Sequence, residues 1–172
     1  MGIVLAVIGS RGIGEPVRYT NEIYPTATFY PTYKNMGQLN LVFKELNSTI
    51  KRIVEIESAK NPDFNPRIDI SLSIGDADGA DELARIWAVK NQLNYTVHVA
   101  KWKVFGKSAG HRRNPDIIAP ADYVVAFYDG ESSGTAGGIE YAKKREKKLK
   151  VIRYLKHVPY LGSRTKKRKV TT

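Results

Sequence analysis

Apolar residues along this chain fall into two kinds of run. Ile3-Val4-Leu5-Ala6-Val7-Ile8 and Tyr123-Val124-Val125-Ala126-Phe127-Tyr128 are continuous and rich in β-branched or aromatic side chains, the pattern of strands buried on both faces of a parallel sheet. Ile68-Asp69-Ile70-Ser71-Leu72-Ser73-Ile74 alternates apolar and polar, and residues 95–99 and 150–154 are further strand segments. Between them the period lengthens to that of a helix. Leu39, Phe43, Leu46, Ile50 and Ile53 recur at spacings of 4-3-4-3, which predicts an amphipathic helix over 37–58. Leu83 with Trp87 and Ala84 with Ala88 make i,i+4 pairs in a segment running from Leu83 to Gln92. A short helical stretch is expected over 110–118, with Pro115 near its first turn, and a longer helix over 136–147. Asn61-Pro62 to Asn65-Pro66 reads as a turn-rich connector, and 102–110 as a loop.

The resulting order, β-α-β-α-β-α-β-α-β, predicts an α/β protein. The expected architecture is Rossmann-like and doubly wound, a mainly parallel sheet of about five or more strands with helices on both faces. Residues 14–36 interrupt the alternation with Pro16, Pro25 and Pro31 and the tyrosines Tyr19, Tyr24, Tyr30 and Tyr33. This segment is read as an irregular loop or short hairpin beside the first strand end, its tyrosines covering the core edge or stacking on a base. The expected organisation is one domain over 1–156 that includes this insertion, followed by a mobile basic tail over 157–172 with little core-forming content.

Composition narrows the chemistry. The chain has no cysteine, which excludes disulfides and thiolate metal sites, and its three histidines, His98, His111 and His157, have no metal-ligand spacing. Neither a metal nor a cofactor is expected. No apolar run approaches the roughly 18 residues of a membrane span, so no membrane partner is expected and the chain reads as cytoplasmic. The net charge of +11 is unevenly placed: residues 143–172 carry thirteen Lys/Arg and one acid, leaving 15 basic (28 − 13) and 16 acidic (17 − 1) residues before them. Such a basic end binds polyanions, nucleic acid through Lys143–Lys169 among them, or simply solubilises the chain.

Glycine-bearing turns follow the first, second and fourth strand segments: Gly9-Ser10-Arg11-Gly12, Gly75 to Gly79, and Gly130 to Thr135. Ligands of open α/β sheets sit outside the carboxyl ends of the strands. If these strands are neighbours, the turns meet at one rim, where main-chain N–H groups and helix N-termini accept phosphate. The opening of the second turn, Ser73-Ile74-Gly75-Asp76-Ala77-Asp78-Gly79-Ala80-Asp81, reads as strand, turn and helix start with Asp78 as N-cap. A capped turn without a ligand would look the same. Arg11, Lys107, Arg112 and Arg113 are within reach of the same rim as phosphate partners, and His111 adjoins it.

The motifs Val7-Ile8-Gly9-Ser10-Arg11, Gly75-x-Ala77-Asp78-Gly79-Ala80-Asp81, Trp102-x3-Gly106-Lys107-x-Ala109-Gly110-x-x-Arg113-Asn114, Ala121-Asp122 and Gly134-Thr135-x3-Ile139-Glu140 resemble, in this order, the YspA-like branch of the SLOG superfamily, which also holds the LOG phosphoribohydrolases and the Smf/DprA DNA-binding proteins. The match spans about residues 3–153. The resemblance implies a Rossmann-like domain that binds a nucleotide or a nucleotide-derived ligand such as ADP-ribose, as a sensor or sequestering module, in a bacterial or phage-infected cell, and often as a homo-oligomer. With the turns and cations named above, the candidate binding residues are Gly9, Ser10, Arg11, Gly75, Asp78, Gly79, Ala80, Asp81, Lys107, Gly110, Arg112, Arg113, Asn114, Ser133, Gly134 and Thr135. A LOG-like hydrolase of nucleoside 5′-monophosphates is the alternative, with Arg113 and Glu140 catalytic. Here the sequence departs from the LOG pattern: Asp129-Gly130-Glu131-Ser132-Ser133 replaces its Pro-Gly-Gly loop, and Glu140 follows Thr135 by five residues instead of three. Smf/DprA-like nucleic-acid binding helped by the basic tail is a second alternative.

Overall fold

The computed structural model describes residues 2–14, 16–17, 32–33 and 35–155. The first apolar run becomes β1 (Ile3–Gly9), and its neighbours are β4 (Ile70–Gly75) and β6 (Tyr123–Tyr128). With β5 (Asn94–His98) and β7 (Lys148–Arg153) they form a five-stranded sheet in the order β5-β4-β1-β6-β7. Every pairing is parallel, with Ala6 opposite Ser73 on one side of β1 and Val7 opposite Val125 on the other. The fold is therefore a Rossmann-like α/β fold. From β1 the chain builds outward to β4 and β5, then returns to add β6 and β7 on the opposite side. The direction reverses between β1 and β6, where such sheets leave a crevice.

Alternation along β1 divides the core into two layers. Leu5 and Val7, with Leu72, Ile74, Val125 and Phe127, pack against α1 (Met36–Lys60) and α3 (Ala80–Lys90). Ala6 and Ile8, with Val124 and Ala126, pack against α5 (Ala109–Ile118) and α6 (Ser133–Lys144). The buried stripe of α1 is Gln38, Val42, Leu46 and Ile53. Its apolar members each contribute roughly 1.5–3 kcal/mol on full burial. Leu39, Phe43 and Ile50 flank this stripe half-buried, so its centre lies one step from the expected one. Gln38 sits in the stripe because it joins distant segments: its Oε1 accepts the Gly14 N–H at 2.9 Å, and its Nε2 donates to the Leu155 carbonyl at 2.7 Å.

Several boundaries differ from the sequence expectation, each for a local reason. The second strand starts at Ile70, because Pro66–Asp69 forms a one-turn helix, α2, capped by Asn65 Oδ1 on the Arg67 N–H at 3.1 Å. The expected loop after Trp102 is helical, with α4 (Trp102–Phe105) and a 3₁₀ turn (Gly106–Ser108) running into α5. Pro115 lies inside α5, well past its first turn, and the helix tolerates the lost N–H there. The last helix begins at Ser133, so Ser133, Gly134 and Thr135 form its first turn. Within the insertion, Pro16–Val17 (β2) pairs antiparallel with Thr32–Tyr33 (β3). Tyr19, Tyr24 and Tyr30, and the tail over 157–172, lie outside the described residues.

Candidate functional site

At the carboxyl ends of β1 and β6 the structure holds a hollow of about 560 Å³. The turn after β1 forms one wall, through Gly9, Ser10, Arg11 and Gly12. The first turn of α6 forms another, through Ser132, Ser133, Gly134 and Thr135. Gly110, His111, Arg113 and Asn114 of α5, with Lys107 of the 3₁₀ turn, close a third side. From the turn after β4 only Ala77 reaches the hollow, joined by Asp81 of α3.

The β4 turn is otherwise spent on supporting the β1 turn. Ser10 donates its N–H to the Phe127 carbonyl at 3.2 Å, and Ala80 donates its N–H to the Ser10 carbonyl at 3.3 Å. Gly79, at φ 79°, lies where a Cβ would collide with the Ser10 and Arg11 carbonyls, and a Cβ on Gly9 would fall 2.5 Å from that of Ala80. At the N-terminus of α3 the Ala80 N–H is thus taken by a carbonyl of the β1 turn. Gly75, Asp78, Gly79 and Ala80, expected among the binding residues, do not line this hollow; Gly75 and Asp78 line a smaller one beside it. The N-cap of α3 is Gly79, without a side-chain cap bond, so Asp78 does not take that role. Gly75 instead makes room for the Arg113 guanidinium and the Asp81 carboxylate, which any Cβ there would strike.

Arg113 is buried to 8% exposure and forked between two carboxylates, Nη1 donating to Asp76 Oδ1 and Nη2 to Asp81 Oδ2 at 3.1 Å. Ala77 N–H donates to the same Asp81 oxygen at 3.2 Å, and Ala100 N–H to Asp76 Oδ1 at 3.2 Å. Burial pushes the Asp81 carboxyl up to about 6, winning over the opposing pull of Arg113 and the backbone donors. Asp76 and Asp81 share one guanidinium, so the cluster carries a surplus negative charge in a place with little water, which adds to the effect of burial. Arg113 is accordingly no free phosphate clamp. Its Nε alone lacks a partner among the described residues. Arg112 does not line the hollow; it is exposed, stacked on Phe105 at 4.5 Å.

Open donors lie on the other walls. Ser132 caps α6, its Oγ accepting the Thr135 N–H at 3.4 Å, while Asp129 Oδ1 turns back to accept the N–H groups of Glu131 and Ser132 at 3.0 and 2.8 Å. The N–H groups of Ser133 and Gly134 have no intrahelical acceptor and carry the positive end of the α6 dipole. Asn114 Nδ2 donates to the Gly134 carbonyl at 2.9 Å and holds this turn on α5. His111 Nε2 lies 3.3 Å from Ser133 Oγ. The Arg11 guanidinium lies over Trp102, 4.5 Å from the ring centroid, with no acidic partner among the described residues. Ser10 is buried and its hydroxyl pairs with the Tyr154 hydroxyl, whose pKa burial raises.

Of the two residues proposed as catalytic, Arg113 lines the hollow and Glu140 does not. Thr135 is buried, and a residue five positions further along a helix points about 140° away. Glu140 is exposed there and paired with Lys143 at 3.0 Å. Glu140, expected at the site only for a hydrolase, thus stands outside the hollow.

Sequence reasoning reaches Gly12, Ala77 and Ser132 only as members of the glycine turns, does not reach Ile8, and misses Tyr154. Ser132 carries a further signal, as a serine three residues before Thr135 in N-cap spacing. Of the cations of 143–153, Lys143, Lys144 and Arg145 end α6, Lys148 and Lys150 lie along β7, and Arg153 closes β7 at the carboxyl rim beside Gly130. Lys150 pairs with Glu45 at 2.6 Å, and Lys148 and Arg153 stack on Tyr123 and Tyr128. The rest of the basic stretch lies outside the described residues. Among the described residues, no helix is long and apolar enough to cross a membrane, and no group of His, Asp or Glu is arranged to hold a metal ion. Compared with protein-family models, curated proteins and solved structures, the chain matches none.

Proposed function

We propose that the hollow binds a nucleotide or nucleotide-derived ligand, ADP-ribose-like or a nucleoside phosphate, and that the protein serves as a sensor or sequestering module of the YspA-like SLOG type. The observation that carries this reading is the meeting, around one hollow of about 560 Å³, of the Arg11 guanidinium and the N-terminus of α6. A phosphate suits both, a guanidinium by its forked donors and a helix N-terminus by its unpaired N–H groups. Lys107 adds charge at the mouth, and Ser133 and Thr135 add hydroxyls. The hydrolase reading is weaker, because Glu140 faces away and two of the three carboxylates at the hollow, Asp81 and Asp129, are bonded to Arg113 and to the loop backbone, with Glu131 of the same loop as the third.

Calorimetric titration with ADP-ribose, cyclic ADP-ribose, NAD, AMP and cyclic AMP tests the proposal. At least one of them binds with one site per chain and without release of free base. Silence across the whole series overturns the reading.

A further inference from the structure

Asp81 occupies a position that a simple anion site would avoid. It is a carboxylate lining the hollow proposed above to receive phosphate, and it is 3% exposed. Its hydrogen bonds from Arg113 and Ala77 both fall on Oδ2. Among the described residues, the charged groups bonded to it do not balance. Arg113 is shared with Asp76. Across the hollow stand Asp129 and Glu131 against Arg11, Lys107 and His111. On its other side a smaller hollow of about 290 Å³ brings Asp78 and Glu82 with Arg85. An arriving phosphate adds negative charge to a wall already in surplus. One proton on the wall removes that surplus.

Resting on the ligand reading above, we propose that Asp81 takes up a proton as the anion enters, so that the bound ligand faces a carboxylic acid. Arg113 then neutralises Asp76, and the positive elements opposite act on the ligand undiminished. Burial already pushes the Asp81 carboxyl up to about 6, and an anion nearby raises it further. Affinity therefore increases as pH falls from 8 toward 6 and levels off below. The dependence has an upper bound of about tenfold per pH unit for one proton. The site thereby favours ligands whose own charge is constant in this range, such as a pyrophosphate diester.

ADP-ribose is the suitable probe, since its phosphates do not titrate near neutrality. Calorimetry at pH 7 in two buffers of different ionisation enthalpy gives the number of protons taken up, expected to be roughly half a proton or more. In Asp81→Asn the uptake disappears and affinity becomes independent of pH between 6 and 8. Binding without uptake, uptake that persists in Asp81→Asn, or uptake lost in His111→Gln each overturns the inference while leaving the ligand reading intact. A calorimeter silent to ADP-ribose overturns the inference together with this ligand. Should Asp81→Asn fail to fold, the carboxyl carbon resonance of Asp81 in the natural chain decides: its titration midpoint moves upward on adding ADP-ribose, and an unmoved midpoint overturns the inference.

Discussion

The Ser10 carbonyl accepts the N–H of Ala80 at 3.3 Å, and this bond sets the turn after β1 on the N-terminus of α3. Two glycine turns that look alike in the sequence thus have different work. The turn after β4 supports, and the turn after β1 faces the hollow.

Gly79 is the first place to test that division. At φ 79°, with the Ser10 and Arg11 carbonyls against its Cα, it has no room for a side chain. Gly79→Ala lowers stability by at least about 2 kcal/mol, from backbone strain and displacement of the β1 turn. Denaturant unfolding measures this, and a change under about 0.5 kcal/mol would show that the turns do not depend on one another.

Arg11 is exposed and stacked on Trp102, so its contribution to the fold is small, about 0.5–1 kcal/mol. Arg11→Ala leaves the unfolding midpoint nearly unchanged and weakens binding of a phosphate-bearing ligand about tenfold, near 1.4 kcal/mol. An affinity equal to that of the natural chain in calorimetry would remove Arg11 from the site.

Asn114 is 8% exposed and holds the first turn of α6 through the Gly134 carbonyl. Asn114→Ala removes this tie between α5 and α6 while the Gly134 carbonyl keeps its acceptor role within α6, at a cost of about 0.5–1.5 kcal/mol. Ligand affinity falls with it, because the Ser133 and Gly134 N–H groups lose their placement. Stability that drops while affinity holds would separate Asn114 from the site.

The pH dependence of folding carries the mark of Asp81. Its carboxyl moves from an unfolded value of 3.8 up to about 6 in the folded protein. A raised pKa means that the folded state holds the proton more tightly, so this group's favourable contribution is complete below pH 4 and is lost as pH rises through 6. Asp81→Asn, uncharged throughout, lacks this slope and gains on the natural chain between pH 5 and pH 7.5. Urea unfolding at those two values checks the sign, and the opposite trend would mean that the Arg113 ion pair outweighs burial.

Glu140 lies on the outer side of α6 with Lys143. Glu140→Gln changes ligand affinity less than about twofold, as expected of an exposed i,i+3 pair worth a few tenths of a kcal/mol. A larger loss, or release of base that vanishes in this variant, would restore it to the site.

The sequence by itself determined the class of fold. Continuous apolar runs at 3–8 and 123–128 suit only strands covered on both faces, and helical periods between strands force parallel pairing through crossovers. It also placed glycine turns at strand ends, which is where Arg11 and Ser133–Thr135 come to the hollow. Tertiary structure decided what each turn does. Periodicity cannot reveal that Asp76 and Asp81 share Arg113, or that Tyr154 reaches Ser10, because each contact joins residues at least 32 positions apart on different elements. Nor can spacing show that the Ala80 N–H at the α3 N-terminus is taken by the Ser10 carbonyl: the same Gly-x-x-x-Gly turn serves an open anion site or a support, and the strand packed beside it makes the difference.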